Sequence, residues 1–286
     1  MKFDLTPVEN IEGLWLKRDD KFTPFGLHTV NGGKLRQCFA LVDAIKDNYE
    51  GILSFCSIYS PQAPITSAVA KYFGLKCKIF YGGTSRENIK DNEMVKIAQE
   101  YGAEINIVAK TGRHTVLRKI AQEYAQKHNY FVIEYGFNII EYPDLLLEAV
   151  SNQVENIPDK LDNLIITCGS GITTTGILLG LKRFNKEVKQ IHLVNTAPDR
   201  RKKIKENLSK YGIDSEKEFN IITHDLFNRK GFVYEKGIKV IWKGIRFHPN
   251  YEAKAFSWLY YNSGINLKDN KTLFWIVGAK PVSKRN

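Results

Sequence analysis

Short apolar runs alternate with amphipathic stretches along most of the chain, which is the pattern of repeated β-strand, α-helix, β-strand units. Because a helical crossover separates each strand from the next, the pattern predicts a mostly parallel sheet with strands buried on both faces. The predicted strands are 14–17, 51–56, 76–81, 104–108, 130–134, 163–167, 190–195, 219–223, 239–242 and 272–277. The predicted helices are 34–46, 61–73, 86–101, 115–127, 142–154, 198–211 and 251–261, with a further helix directly after the strand at 163–167.

This order of elements predicts two domains. Residues 51–139 have the pattern of a compact doubly wound unit, which we expect to be a small domain. Residues 1–50 and 140–286 are expected to form a large domain. Since no repeat, low-complexity tract or Pro-rich linker separates them, the predicted fold class is α/β, with two interleaved, open, twisted, mostly parallel sheets flanked by helices.

The excess of basic over acidic residues indicates which class of partner the chain favours. Lys and Arg number 42 against 31 Asp and Glu, which gives a formal net charge of +11. Basic residues cluster at 200–205, at 236–243 and near the C-terminus. Such a surplus favours acidic partners such as nucleic acid or anionic metabolites, while a solvated basic helix face is the alternative interpretation.

Cysteine usage and the uncharged runs indicate the compartment. Four cysteines lie in apolar segments without a CxxC motif or a histidine at metal-ligand spacing, so we expect reduced core residues and no metal site. The N-terminus is charged and lacks the apolar core of a secretory signal. Polar residues, Gly or Pro interrupt the uncharged runs at 51–70 and 164–181, so we expect a cytoplasmic protein without membrane contact.

The segment 164–181, LIITCGSGITTTGILLGL, has the features of a phosphate-binding turn. Gly169 and Gly171 allow close approach of the main chain to a ligand, and hydroxyl side chains stand where a helix begins. No Lys follows the last Gly as a P-loop requires, and no acidic residue ends the next strand as a dinucleotide site requires. The segment therefore predicts a phosphate of another cofactor, unless the turn merely joins a buried strand to a buried helix.

Three other segments carry reactive side chains. Lys34 follows two glycines at the start of a predicted helix, where partial desolvation favours the neutral, nucleophilic amine that Schiff-base chemistry needs. Ser60 stands as a predicted helix N-cap before Pro61, which leaves N–H groups for a carboxylate. Tyr251 and Glu252 place a phenol beside a carboxylate ahead of a helix. Taken singly, each segment also fits an ordinary helix start.

Taken in order, these segments resemble the fold-type II pyridoxal-phosphate enzymes, and among them the 1-aminocyclopropane-1-carboxylate deaminase and D-cysteine desulfhydrase group. WLKRDD resembles the first strand of that family, NGGKLRQ its G-G-N-K-x-R segment, and YSPQAP stands at its Q-S-N-H loop. GSGITTTG resembles its phosphate loop, PNYEAK its P-V-Y-E-G-K segment, and FWIVGAKP its last strand. The resemblance covers nearly the whole chain and implies a tryptophan synthase beta-like fold.

The resemblance also implies a role for each residue. Lys34 would form an aldimine with pyridoxal phosphate, and Glu252 would face the pyridine nitrogen as in the deaminase branch, with Tyr251 as an acid/base or positioning phenol. The implied phosphate-binding residues are Gly169, Ser170, Gly171, Ile172, Thr173 and Thr174. The implied substrate-binding residues are Ser57, Tyr59, Ser60, Gln62 and Tyr135, with Ser60 also catalytic. A homodimer is implied as well.

Departures from the family pattern surround the substrate. Gly33 replaces the Asn before the lysine, Pro61 replaces the Asn of the substrate loop, His248 replaces an Asp, and 276–279 replaces His-Leu-Gly-Gly. The cofactor residues are therefore expected to be kept while the substrate residues differ.

Three functions follow as hypotheses. The first is a pyridoxal-phosphate enzyme that forms an external aldimine with a small amino acid and catalyses a carbanion step, with deamination or elimination before decarboxylation or racemisation. The second is the same chemistry on an amino acid attached to a nucleic acid, which uses the altered loop and the basic surface. The third is a phosphate-binding protein that has kept the fold and lost the chemistry.

Overall fold

The computed structural model describes residues 3–26, 29–83, 85–108, 113–137, 142–233 and 236–283. The chain forms two compact units, each with its own sheet. The first is built from Thr23–Leu146 and the described residues from Pro281 onward, and the second from Lys2–Phe22 and Leu147–Lys280.

The strands, in chain order, are β1 (Val8–Ile11), β2 (Leu14–Arg18), β3 (Gly51–Phe55), β4 (Lys76–Gly82), β5 (Glu104–Val108), β6 (Tyr130–Ile133), β7 (Lys160–Cys168), β8 (Glu187–Asn195), β9 (Ile221–Asp225), β10 (Ile241–Trp242), β11 (Ile245–Arg246) and β12 (Thr272–Ile276). The α-helices are α1 (Gly33–Ile45), α2 (Gln62–Tyr72), α3 (Arg86–Lys90), α4 (Glu93–Glu100), α5 (His114–His128), α6 (Pro143–Ser151), α7 (Ile172–Arg183), α8 (Arg201–Ser209), α9 (Ser215–Glu218) and α10 (Glu252–Asn262). Short 3-10 turns at Asp19–Lys21, Tyr135–Phe137 and Asn152–Val154 complete the described elements.

The second unit contains a six-stranded sheet in the order β1-β2-β12-β7-β8-β9. All neighbours are parallel except β1 and β2, which form an antiparallel pair. Leu164 and Ile166 belong to the core cluster on one face, and Ile165 belongs to the cluster on the other. Since successive residues of a strand point to opposite faces, two buried faces require the uninterrupted apolar run found in the sequence.

The first unit contains a four-stranded parallel sheet in the order β5-β4-β3-β6. Leu117, Ala121 and Ala125 lie four residues apart on α5 and pack against Leu53 and Phe55 of β3. This spacing is that of one helix face, so α5 covers the sheet with an apolar stripe.

The predicted fold class is confirmed: the protein is α/β with two mostly parallel sheets flanked by helices. The predicted helix 86–101 was wrong in one respect, because it is broken into α3 and α4. The side chain of Asn92 accepts the N–H groups of Met94 at 2.9 Å and Val95 at 3.2 Å, so it starts a new helix where periodicity suggested one continuous helix.

The partition of the chain also differs from the expected one. Residues 1–50 were expected in the large domain, but α1 belongs to the unit that contains β3 and α2. The physical reason is that the apolar face of α1 packs on α2. Within the described residues, no helix combines the length and the apolar character that crossing a bilayer requires.

Helix α7 approaches its neighbours closely at Gly180, in its C-terminal half. A Cβ added to Gly180 would lie 2.5 Å from the carbonyl oxygen of Ser151 and 2.5 Å from Cγ2 of Val154. No side chain fits in that space, so glycine allows α7 to pack directly on the end of α6. The glycines of the 164–181 segment thus serve packing as well as the turn.

Candidate functional site

The turn between β7 and α7 has the form of an anion cradle. Gly171 precedes the helix with φ of +85°, and a Cβ there would lie 3.1 Å from Cβ of Arg200. Both the left-handed backbone and the close contact therefore require glycine at this position. Since the first intrahelical bond runs from the N–H of Thr175 to the carbonyl of Gly171, the preceding N–H groups of the helix have no intrahelical acceptor. These groups and the helix dipole favour an anion.

The residues of this cradle differ in what they present to a ligand. Gly169, Ser170 and Thr173 are partly exposed, so a ligand can reach their N–H groups and hydroxyls. The side chains of Ile172 and Thr174 are buried, at 1% exposed each. The structure therefore leaves these two residues only their backbone N–H groups for binding a phosphate.

Arg200 adds a positive charge to the cradle. Its Nε donates a hydrogen bond to the carbonyl of Gly169 at 3.4 Å, and its side chain is half-buried. The neighbouring Asp199 is engaged by Arg201, with 2.8 Å from Nε to Oδ2, and does not neutralise Arg200. Burial and, to a smaller extent, the charge of Arg200 lower the pKa of the Lys203 ammonium. Sequence reasoning placed Arg200 on a solvated basic face and missed this role. The available signal was its position in the segment between β8 and α8, because β8 lies beside the strand that precedes the cradle.

Buried polar atoms without partners collect at the same edge of the sheet. Thr167 Oγ1, Asn195 Nδ2 and Thr196 Oγ1 have no hydrogen-bond partner among the described residues. Cys168 pairs with Asn195 across the parallel strands β7 and β8, so these side chains stand at the carboxyl ends of adjacent strands. Since buried polar groups are normally satisfied, this edge has the chemistry of a site for a polar ligand.

Glu252 is the first residue of α10 and is only 3% exposed. Its Oε1 accepts the N–H of Val277 at 3.2 Å, while Oε2 has no partner among the described residues. Burial raises the pKa of this carboxyl from its ordinary 4.5 to about 8, with a smaller contribution from Asp20. At neutral pH the carboxyl is therefore mostly protonated and can donate to, or exchange a proton with, a ligand atom.

Glu252 and the cradle are close because of the sheet register. Val277 directly follows β12, in which Trp275 pairs with Ile166 of β7. The register therefore brings Val277 level with Cys168 on the neighbouring strand, one strand spacing of about 5 Å away. Tyr251 is partly exposed, and its ring centroid lies 4.7 Å from that of His248. The cradle, Tyr251 and Glu252 thus belong to one edge of the sheet in the second unit.

Lys34 is the second residue of α1 in the first unit, where Gly32 precedes the helix with φ of +93°. The side chain is partly buried, and its charge acts on the Cys56 thiol, whose pKa burial raises to about 12. Cys56 directly follows β3, so the charge of Lys34 acts at the carboxyl end of that strand. The amine of Lys34 therefore stands partly buried in the first turn of α1.

The loop between β3 and α2 carries most of the predicted substrate residues. The hydroxyl of Ser60 accepts the N–H of Gln62 at 3.2 Å, and that of Ser57 accepts the N–H of Tyr59 at 3.3 Å. Ser60 therefore performs the predicted capping role, although the helix begins one residue later, with Pro61 as its N-cap. Tyr59 is 43% exposed and reaches solvent.

Gln62 has a different position from the one expected. Its Nε2 donates to Ser54 Oγ at 2.7 Å and to the carbonyl of Glu134 at 2.9 Å, and its Oε1 accepts the N–H of Gly136 at 2.7 Å. Gln62 is 1% exposed, and both the oxygen and the nitrogen of its amide are hydrogen-bonded within the protein. The predicted role in substrate binding is therefore corrected: this side chain positions its neighbours. It holds the turn that contains Tyr135, which is partly buried and has its ring centroid 3.9 Å from that of His114.

The predicted residues therefore fall into two groups. Lys34, the Ser57–Ser60 loop and Tyr135 lie in the first unit, and the cradle with Tyr251 and Glu252 lies in the second. Within the second unit, the anion cradle and the protonated buried carboxyl fit the phosphate and the ring nitrogen of pyridoxal phosphate. In the first unit, Lys34 supplies an amine of the kind that the aldehyde of this cofactor requires. The unpartnered Oε2 of Glu252 is the observation that tests this fit most directly.

Comparison with known proteins identifies the family to which this chain belongs. The family model described as pyridoxal-phosphate dependent enzyme matches residues 4–223. Among curated relatives, the O-seryl-dTMP PLP-dependent decarboxylase of Salmonella phage ViI is 27% identical over 96% of this chain and 80% of its own length. The D-cysteine desulfhydrase of Yersinia enterocolitica is 26% identical over 96% of this chain and 92% of its own length.

A solved structure of a homologue of 1-aminocyclopropane-1-carboxylate deaminase has the same fold, with a TM-score of 0.74 at 20% identity. The match covers 97% of this chain and 90% of that one. The predicted family and cofactor are confirmed: the cofactor is pyridoxal 5'-phosphate, and the chain belongs to the pyridoxal-phosphate dependent enzymes.

Proposed function

We propose that the protein breaks a bond at the α-carbon of an amino acid that is attached to a nucleotide, and that the bond broken is the one to the carboxylate. The observation that supports this proposal most strongly is the 27% identity to the phage O-seryl-dTMP decarboxylase over 96% of this chain. Two features of the chain support it: the family's substrate loop is altered at Pro61, and the formal charge of +11 suits a substrate that carries phosphate.

The proposal assigns a role to each group. Pyridoxal phosphate, when bound, withdraws the electron pair of the broken bond. Lys34 holds the cofactor covalently and carries a proton to or from the α-carbon. The N–H groups and hydroxyls of 169–174 hold the phosphate, Glu252 faces the ring nitrogen, and Tyr251 is the acid/base phenol. The exposed part of the loop, Ser57, Tyr59 and Ser60, orients the substrate.

The balance of the reaction is simple. The bond between the α-carbon and the carboxylate breaks, carbon dioxide leaves, and one proton is delivered to the α-carbon. The product is an amine that keeps its link to the nucleotide. Oxidants and reductants take no part.

A product assay tests this function. We expect the purified enzyme with added pyridoxal phosphate to release carbon dioxide from O-seryl-dTMP and to leave a nucleotide-linked amine, both followed by mass spectrometry. Free serine, D-cysteine and 1-aminocyclopropane-1-carboxylate serve as comparison substrates. Ammonia and a 2-oxoacid from a free amino acid, without carbon dioxide from the nucleotide, would refute decarboxylation.

That second outcome defines the other candidate function, the deamination of a small free amino acid. It is favoured by Glu252, which stands where the deaminase branch has its acid, and by the D-cysteine desulfhydrase relative. The same Lys34, cradle and Tyr251 serve this reaction, in which the β-substituent leaves or the ring opens and water then hydrolyses the resulting imine to ammonia and a 2-oxoacid. The product measured in the assay separates the two candidates.

Arg200 gives a further prediction about the cofactor. Arg200→Gln should weaken the binding of pyridoxal phosphate to the apoprotein by about tenfold, because one charge-assisted contact to a phosphate is worth about 1.4 kcal/mol. Binding of pyridoxal, which lacks the phosphate, should not change. Absorbance titration of the two compounds measures both affinities.

The control for this prediction is Arg201→Gln, since Arg201 is already paired with Asp199. It removes the same charge from the adjacent position. Equal losses in both variants, or an equal loss for pyridoxal, would contradict a specific contact of Arg200 with the phosphate.

We also propose that the enzyme acts in the cytoplasm as a homodimer. The four cysteines are free and buried, which supports a reducing compartment. The dimer rests on the resemblance to the family, and sedimentation of the purified protein tests it.

A further inference from the structure

A short hairpin of the second unit has two chemically different faces. In the antiparallel pair β10–β11, Ile241 lies opposite Arg246, and Trp242 lies opposite Ile245. Directly opposed residues point to the same face of a hairpin. Trp242 and Ile245 pack into the core beneath, while Ile241, at 52% exposed, and Arg246 point to solvent.

The outward side of this hairpin is basic. The segment 236–246, KGIKVIWKGIR, has four cations and no acidic residue. Lys236, Lys239, Lys243 and Arg246 are all exposed. Lys243 forms an ion pair with Glu12, and among the described residues the other three have no ion pair. The field above the hairpin is therefore positive.

Exposed tyrosines stand on α10, the helix that packs against the inner side of the hairpin. Tyr260 and Tyr261, in the last turn of α10, are 55% and 78% exposed. The ring of Phe256 joins them to the hairpin, since its centroid lies 5.4 Å from that of Trp242 and 6.0 Å from that of Tyr260. Surfaces that bind single-stranded nucleic acid combine cations, which contact the phosphate backbone, with aromatic side chains, on which the bases stack.

The hairpin is also tied to the candidate site. The N–H of Ile238 donates to the carbonyl of Pro249 at 3.0 Å, and β11 leads directly into the segment that ends with Tyr251 and Glu252. A chain bound along the hairpin therefore lies next to the segment that carries the proposed acid.

We propose that the outward face of β10–β11, together with Tyr260 and Tyr261, binds the DNA strand that carries the substrate amino acid. This proposal rests on the proposed function and extends it, because it makes the substrate a residue of a polymer as well as a free nucleotide. The phosphates contact Lys236, Lys239 and Arg246, and the tyrosines stack on bases next to the reacting one.

Salt-dependent binding tests this surface. The protein loaded with pyridoxal phosphate is titrated into a fluorescent single-stranded oligonucleotide, and anisotropy is followed over a range of salt concentrations. In the double variant Lys239→Gln, Arg246→Gln we expect affinity to fall about tenfold or more and the slope of log K against log salt to lose about 1.4, as two lost phosphate contacts on a single strand imply. Tyr260→Ala with Tyr261→Ala should weaken binding with little change of slope.

A matched control is the double variant Lys119→Gln, Lys127→Gln, which removes the same charge from exposed positions of α5 in the first unit. It should lower affinity far less than the hairpin variant. Equal effects of the two double variants, or no effect of either, would overturn the hairpin as the binding surface.

Measurements of decarboxylation distinguish a failure of this binding surface from a failure of the proposed function. The hairpin variants should decarboxylate free O-seryl-dTMP at the rate of the unaltered protein and lose activity only on DNA that carries the same seryl group. Full activity of the hairpin variants on that DNA overturns the surface and leaves the proposed function standing. Absence of carbon dioxide from both substrates with the unaltered protein rejects the proposed function itself, and with it the assignment of this face to a substrate strand.

Discussion

Replacement of Lys34 by alanine should abolish covalent attachment of pyridoxal phosphate and lower kcat by about a thousandfold or more. Lys34 is partly buried in the first turn of α1, and its charge acts on the Cys56 thiol. Borohydride reduction followed by peptide mass analysis should label Lys34 in the unaltered protein and no lysine in the variant.

The matched control is Lys46→Ala, which changes the residue at the other end of the same helix. Lys46 pairs with Asp43 on the protein surface, so this variant should keep the label at Lys34 and most of its activity. Circular dichroism of both variants checks that α1 and its unit remain folded. A reducible cofactor bond of normal yield in Lys34→Ala would disprove the assignment.

Much of the fold was predictable because buried strands and helix faces require apolar residues at regular spacings in the sequence. The strand β7 lies between two cores, so Leu164, Ile165 and Ile166 all had to be apolar. The break between α3 and α4 was not predictable from periodicity, since it depends on one side chain, Asn92, that accepts two N–H groups. Strand β1 was missed because its sequence, VENI, has too few apolar residues to stand out.

The candidate site was predictable where function depends on local sequence and not where it depends on packing. Gly171 and Lys34 are recognisable because turn chemistry and helix starts are local. The contact of Arg200 with the cradle requires α8 to approach the turn after β7, which no local pattern encodes. Gln62 was assigned to the substrate because it follows the altered Pro61, whereas the fold uses its amide to connect α2 with the chain after β6.

Replacement of Glu252 by glutamine should lower kcat by about a hundredfold, because glutamine cannot exchange a proton with the ring nitrogen of the cofactor. The same variant should also change how the stability of the apoprotein depends on pH. In the folded apoprotein the carboxyl has a pKa of about 8, against 4.5 as its ordinary value. Between these values the folded state keeps a proton that the unfolded state has lost, so the free energy of unfolding falls as pH rises through this window.

Glutamine removes this dependence, since its side chain does not titrate. The free energy of unfolding of the Glu252→Gln apoprotein, relative to the unaltered apoprotein, should therefore rise by about 2 kcal/mol between about pH 6 and about pH 9. Urea unfolding of both apoproteins at the two pH values gives this difference. The control Glu216→Gln changes an exposed carboxylate of α9, and its relative stability should stay level over the same range.

Parallel pH profiles for Glu252→Gln and the unaltered apoprotein would show that the carboxyl is ionised in the folded state at neutral pH. A buried carboxylate with one oxygen that has no hydrogen-bond partner among the described residues would then carry a large desolvation cost. If the stability of Glu252→Gln relative to the unaltered apoprotein rises with pH and its kcat also falls, the same carboxyl affects both the pH dependence of stability and catalysis. Keeping the Glu252 carboxyl protonated in the apoprotein costs more as pH rises, and this residue would share its proton with the ring nitrogen of pyridoxal phosphate when the cofactor is bound, which would lower that cost.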